Sequence, residues 1–314
     1  MAPTIIVAGA TGNSGRSVVE TLSKLLTTNS FLSGHRIVAL TRSSSNPVAQ
    51  NFAKLPGVEV VEKNWVEITP DWLRQNEVVR AFIAPQADAR QFTEESTFHL
   101  AALQAGVKYV VRISTMAPNV RPDSVSYYPR SHWAIETLLE TPEFERLQWT
   151  SLQPITFSHT YFHSVVDFVK KYRRTGKQGT LGIMGSADAP VAVIDAWDVG
   201  VVAAHLLAQE DPSPHNKAKY VLNGPEDITG NQIVKLVEQH IGAKVQNVAF
   251  EDTSLVDMWA AHSSEPRNII LSIKASNEPL LKGLCSASTT SHQVLELAAP
   301  KTTPAEILES LLKE

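Results

Sequence analysis

The chain has 314 residues, 43 % of them apolar and 19 % charged, with a formal net charge of −4. That is the balance of an ordinary globular protein with ample material for a core, in one large domain or two small ones. No basic or acidic block points to nucleic acid or a membrane surface, and no apolar run is long enough to span a bilayer, so neither is expected as a partner. The single cysteine, Cys285, excludes an intrachain disulfide and fits a reducing, cytoplasmic setting. It sits in a Ser/Thr-rich stretch without a basic neighbour, as a structural residue would.

The N-terminal segment 4–8 (TIIVA) is strand-like, with no leader of a charged region followed by an apolar one. Further short apolar runs at 36–41, 58–63, 80–84 and 109–114 are continuous rather than alternating, as in strands covered on both faces. A helix begins near Gly15 with Val18, Val19, Leu22, Leu25 and Leu26 on one face; another covers about 93–105 and ends at Gly106. Strand and helix alternating in this way predict a doubly wound parallel α/β sheet.

The second half is less regular. Strands are expected at 148–153, 191–194, 219–222 and 244–250, and helices at 156–174, 195–207 and, behind a Thr cap, 229–241. Four glycines (176, 179, 182 and 185) interrupt the pattern. A final helix starts at Thr303-Pro304-Ala305-Glu306, a capping box with proline in the first turn. The expected organisation is a dinucleotide-binding domain over 1–155 and a smaller α+β substrate lobe over 156–314, with 190–208 returning to the first domain.

The most informative motif is Gly9-Ala10-Thr11-Gly12-Asn13-Ser14-Gly15, lying between the first strand and the first helix. Glycines in that place allow a tight turn and close approach to a pyrophosphate, which the helix N-terminus then receives with free N–H groups. The second strand ends Thr41-Arg42-Ser43-Ser44, where an NAD enzyme usually carries a carboxylate for the ribose. Arg42 can instead pair with a 2′-phosphate, assisted by the serine hydroxyls, so NADP(H) is the expected cofactor.

With these motifs in order, the chain resembles the NmrA-like family of atypical short-chain dehydrogenases. The resemblance extends through Thr41-Arg42, Val107-Lys108-Tyr109-Val110, Ile113-Ser114-Thr115, Arg130-Ser131-His132 with Glu136, the 149–154 strand, the turn at 195–198 and Asn223-Gly224-Pro225-Glu226. It implies a Rossmann fold and either an NADPH-dependent reductase related to isoflavone reductases or a cofactor sensor without turnover. Fungal members often serve natural-product pathways, and the resemblance points to a fungal chain. Carried over by position, it implies Gly9, Thr11, Gly12, Asn13, Ser14 and Gly15 on the pyrophosphate, Arg42 on the 2′-phosphate and Asn64 near the adenine. Pro85 and Gln86 are implied along the nicotinamide ribose, and Pro154 and Ile155 beside the nicotinamide.

The usual short-chain dehydrogenase pair is Tyr-x-x-x-Lys; here Tyr128 and His132 hold that spacing, with histidine in the lysine position. His132 is read either as a cofactor anchor or as a proton relay. Tyr128, ahead of a proline and expected in a loop, is read as general acid or as a gating aromatic. Ser114 and Thr115 end the fifth strand, where ligands bind in such sheets, and are candidates for catalysis and substrate contact or for strand-end capping. Phe157, His159, Tyr161 and Phe162 follow the strand carrying Pro154 and are candidates to roof the nicotinamide, although at least half of such rings are expected in the core. No group of His, Cys and carboxylates has ligand spacing, so no metal is expected.

Three functions remain open at this level. The first is an NADPH-dependent reductase of a small, bulky, largely apolar molecule in secondary metabolism. The second is an NADP(H)-binding regulator. The third is a cyclase or isomerase in which the cofactor undergoes no net redox change. The sequence carries no signal of oligomeric state.

Overall fold

The computed structural model describes residues 2–313. Its main sheet contains β1 (Thr4–Ala8), β2 (Arg36–Thr41), β3 (Val58–Glu62), β4 (Val78–Ile83), β5 (Tyr109–Ile113) and β6 (Gln148–Pro154). After β7 (Thr180–Ile183), which lies elsewhere, β8 (Ala218–Leu222) completes it, and β9 (Asn247–Phe250) pairs with β7 in a second, two-stranded sheet. The seven strands of the main sheet run parallel in the order β3-β2-β1-β4-β5-β6-β8.

The continuous apolar runs are explained by two cores. In β1, Ile5 and Val7 face one and Ile6 and Ala8 the other, so the whole strand is buried. The chain winds outward from β1 to β3, then crosses to β4 beside β1. The loops after β1 and β4 therefore diverge and open a crevice at the carboxyl ends of these strands, the usual ligand position in such sheets.

The helix Asn13–Thr28 after β1 packs along the helix Ala196–Leu207. Their contact at Gly200 is so close that a Cβ there would stand 1.9 Å from Ser17 Oγ. The helix Ala196–Leu207 also lies on β4, β5 and β6, so it and β8 belong to the main sheet layers. The remaining C-terminal elements are the β7–β9 sheet and several short helices, whose buried residues continue the core on one face of the main sheet.

Several expectations about the second half are corrected. Residues 191–194 are buried but form only isolated bridges, from Val191 to Ile228 and Cys285 and from Ile194 to Phe157. A buried apolar run need not be a strand when it threads between elements. Conversely, β7 was hidden by its glycine. Gly182 is required because a Cβ there would lie 1.9 Å from an Asp252 carboxylate oxygen. The 156–174 helix is two, Ser158–Tyr161 and His163–Thr175, divided at the fully buried Phe162. Tyr128 is not in a loop but in the first turn of the helix Tyr127–Glu140, where Pro129 is tolerated because first-turn amides have no intrahelical acceptor. The caps at Thr229 and Thr303 form as their residues predict, with reciprocal bonds to Gln232 and Glu306.

Candidate active site

The crevice contains a cavity of about 620 Å³ running from the Gly-rich loop to the ends of β2 and β3. At its centre the loop geometry is set by glycine. Gly9 has φ +80°, and Gly12 donates its amide to the Gly9 carbonyl at 2.9 Å. A Cβ on Gly15 would stand 2.1 Å from that same carbonyl oxygen, so loop and helix can meet only without a side chain. The first helical bond runs from Arg16 to Gly12 at 3.1 Å, which leaves the amides of the first turn free to face the cavity. Gly9, Thr11, Gly12, Asn13, Ser14 and Gly15 all line it.

At the far end stand Arg42, Asn46, Lys63, Asn64 and Trp65. Arg42 is exposed and makes no ion pair or hydrogen bond among the described residues, so its guanidinium is available to a ligand. Asn64 lines the cavity while its side-chain oxygen accepts from the Val66 amide at 3.4 Å. Ser43 does not line the cavity; its hydroxyl pairs with that of Ser45 at 2.7 Å, and Ser44 is held by Glu62. Lys63 was missed by sequence reasoning, although it follows β3 much as Arg42 follows β2. At the near end come Ala84, Pro85, Gln86, Ile113 and Phe157.

A second cavity of about 470 Å³ abuts this end and shares Pro85, Ile113 and Phe157 with it. It brings together Ser114, Thr115, Tyr128, His132, Pro154 and Ile155, all singled out from the sequence. Its other walls combine the apolar Met116 and Met184, with Val256, Trp259, Ile270 and Ile273 from the segment after β9, and the uncharged polar Thr156, Thr160, Ser263, Ser276 and Asn277. The residues after β9 were not anticipated; the only signal is the three-residue spacing of Val256 and Trp259. Of the expected roof, only Phe157 lines the cavity. Tyr161 and Phe162 are core residues, 3 % and 0 % exposed. His159 lies outside at the loop, stacked on Phe157 and 3.4 Å from the Asn13 amide nitrogen.

Beneath this cavity lies a buried polar network invisible in the motif reading. Arg112, in the middle of β5, is fully buried and donates to Glu95 at 2.6 and 3.1 Å, to Ser151 at 2.9 Å and to Glu136 at 3.4 Å. Glu136 also accepts from Ser114 at 2.8 Å and Ser151 at 2.6 Å. Burial pushes the Glu95 carboxyl up, but the Arg112 charge and the bonds from His99 and Arg112 outweigh it and hold the group well below the usual carboxylate range. The sequence signals were an arginine inside an apolar strand, which must find a partner, and the i, i+4 spacing of Glu95 and His99.

The network decides the state of His132. Arg112 Nη2 lies 2.8 Å from His132 Nδ1 and can only donate, so Nδ1 is the acceptor and Nε2 carries the proton. Burial, reinforced by the Arg112 charge and only partly opposed by Glu95, depresses the imidazole to about 3. His132 is therefore neutral, a hydrogen-bond donor and not an imidazolium relay. Tyr128 stacks edge-on against it at 6.4 Å between ring centroids, and the Tyr128 hydroxyl makes no hydrogen bond among the described residues. The neighbouring Tyr127 hydroxyl is committed to the Ala87 carbonyl at 2.7 Å. Among the described residues no group of three metal-ligating side chains is assembled.

A glycine-hinged loop feeding a helix N-terminus at the switch point of a parallel sheet defines a Rossmann-type dinucleotide-binding protein. The chain belongs to the NmrA-like family, whose model matches residues 1–280. It is 25 % identical over 278 residues to the isoflavone reductase homolog P3 of Arabidopsis thaliana, covering 86 % of this chain and 84 % of that relative. Among solved structures it is similar to the NADPH-dependent quinone oxidoreductase QOR2 of Escherichia coli complexed with NADPH (TM-score 0.71, 22 % identity, 98 % of this chain and 99 % of that one). It is also similar to the triphenylmethane reductase of Citrobacter sp. complexed with NADP(H) (TM-score 0.70, 21 % identity, 98 % and 100 %). NmrA, a negative transcriptional regulator, matches too (TM-score 0.70, 14 % identity, 100 % and 96 %). These likenesses show a shared fold.

Proposed function

We propose that this protein is an NADPH-dependent reductase of a small, bulky, largely apolar organic molecule. The single observation carrying the reading is the pair of abutting cavities. One is built for a phosphate-rich dinucleotide; the other is roomy, largely apolar-walled and open where the nicotinamide end would fall. A regulator that only senses the cofactor has no need of that second space.

The residues of the first cavity fit NADP(H). Gly12 and Gly15 leave room for a pyrophosphate against the free amides of the helix N-terminus, and Arg42 with Lys63 offers two cations for the 2′-phosphate. Bound there, the cofactor supplies a hydride. The protein's own part is to hold the substrate in the second cavity and to present the Tyr128 hydroxyl and the His132 Nε2–H to an acceptor atom. Tyr128 delivers the proton that balances the hydride, and water replaces it. Among the described residues no lysine lines this cavity, and the donation from Tyr128 is driven by the negative charge developing on the substrate.

The test is calorimetric titration with NADPH and NADH, followed by incubation with NADPH and the metabolite pool of the source organism under mass spectrometry. NADPH consumption with a product heavier by two hydrogens is expected. An isomeric product without NADPH consumption would replace reduction by a cofactor-assisted cyclisation or isomerisation. Tight NADPH binding without any product would leave a sensor.

A further inference from the structure

We infer that the second cavity selects an electrically neutral substrate bearing an acceptor oxygen, and rejects carboxylate, sulfonate, phosphate and ammonium or iminium compounds of the same size. This rests on the reading of the cavity as a substrate site.

The walls carry no charge. Among the described lining residues none is Asp, Glu, Lys or Arg, whereas the adjoining cofactor cavity is lined by Arg42, Lys63, Arg90 and Glu94. The charges nearest the floor are already spent on one another. Arg112 is engaged by Glu95 and Glu136, and Glu136 is further occupied by Ser114, Ser151 and Gln153. His132, which would give an anion a counter-charge if protonated, is held neutral by the Arg112 guanidinium on its Nδ1. An ionic substrate would exchange water for Met116, Val256, Ile270 and Ile273 with no partner of opposite sign.

Beside the hydroxyls of Thr115, Thr156 and Thr160 and the amide of Asn277, the cavity holds two donors on one helix. Among the described residues the Tyr128 hydroxyl has no hydrogen-bond partner and the His132 Nε2–H has no acceptor. Its nearest polar neighbour, Gln91 Nε2 at 3.3 Å, itself donates to Glu95. Two uncommitted donors on one helix match one acceptor oxygen, as in a ketone, enone or quinone.

Three probes of similar ring size test this against protein saturated with NADP+, which permits binding without turnover: a neutral naphthoquinone, its sulfonate, and a cationic triphenylmethane dye. Calorimetry is expected to show the neutral quinone binding at least about tenfold more tightly than either ion. The variant Trp259→Arg, at the half-exposed edge of the cavity, is expected to improve sulfonate binding severalfold and to leave the dye excluded. Equal affinities of all three probes for the parent protein would overturn the inference while leaving the reductase reading intact. Binding of NADP+ but of none of the three would overturn the reading and the inference together.

Discussion

The two cavities share Pro85, Ile113 and Phe157, yet on either side of that seam the protein is built by opposite means. The cofactor side is made of backbone: glycines, a helix N-terminus and strand ends, with exposed cations at its far edge. The other side is made of side chains, largely apolar above and ion-paired below, with the charges buried out of the ligand's reach. A phosphate-rich molecule common to many proteins can be held by one loop geometry, because helix amides and a guanidinium are sufficient. A substrate particular to one protein is recognised by whichever side chains happen to close over the sheet. On the proposed reading, the difference places specificity in the residues after β9 that wall the second cavity and in the network that keeps β5 polar groups fixed beneath it.

The strongest way to break the comparison is at Tyr128. Tyr128→Phe is expected to lower turnover about 100- to 10,000-fold with NADPH affinity unchanged, as steady-state rates and calorimetry would show. Near-normal turnover would remove the tyrosine from the reaction. Next is Arg112→Met, which leaves Glu95 buried without its cation and is expected to cost about 3–5 kcal/mol in urea unfolding. Adding Glu95→Leu should recover much of that loss, since removing both partners is far less harmful than removing one. If the single variant is as stable as the parent, the network does not carry the floor of the second cavity.

On the cofactor side, Arg42→Asp is expected to weaken NADPH by about 1.5–3 kcal/mol, roughly 10- to 150-fold, with little change for NADH. Equal affinity of the parent for the two dinucleotides would already defeat the assignment of Arg42. This side was the legible one. Gly9, Gly12, Gly15 and Arg42 sit at fixed offsets from a strand and a helix, so local order alone places them. The other side was legible where residues follow a strand end, as with Ser114, Thr115, Pro154 and Ile155, or hold a motif spacing, as with Tyr128 and His132. Val256, Trp259, Ile270 and Ile273 reach the cavity through tertiary folding of short helices, which no periodicity over so few residues announces. Tyr161 and Phe162 illustrate the converse: rings in sequence beside the site turned into the core because the helix breaks at Phe162. The Glu95–Arg112 pair joins a helix to a strand 17 positions on, a partnership that spacing cannot show.

The smallest effect, and the sharpest test of the buried side, is the silence of His132. Its folded imidazole is depressed to about 3 from an ordinary 6.5, so between those values the unfolded chain binds a proton that the folded one refuses. Stability from this residue is thus complete above pH 6.5 and is lost progressively as pH falls toward 3. The urea midpoint should decline on acidification from pH 7 to 5, and His132→Gln, which can still accept from Arg112, should flatten part of that decline. His99, depressed by the same burial, and Glu95, held low, act in the same direction, so the slope should lessen and not vanish. In nitrogen-15 spectra of the histidine-labelled protein, the His132 ring should stay in the Nε2–H form without titrating between pH 5 and 8, its signal being identified by its disappearance in His132→Gln and distinguished in this way from that of the buried His99. A His132 signal titrating near 6.5 would mean that Arg112 does not hold Nδ1. The imidazole would then be free to carry charge, and the second cavity would no longer be the uncharged counterpart of the cofactor side.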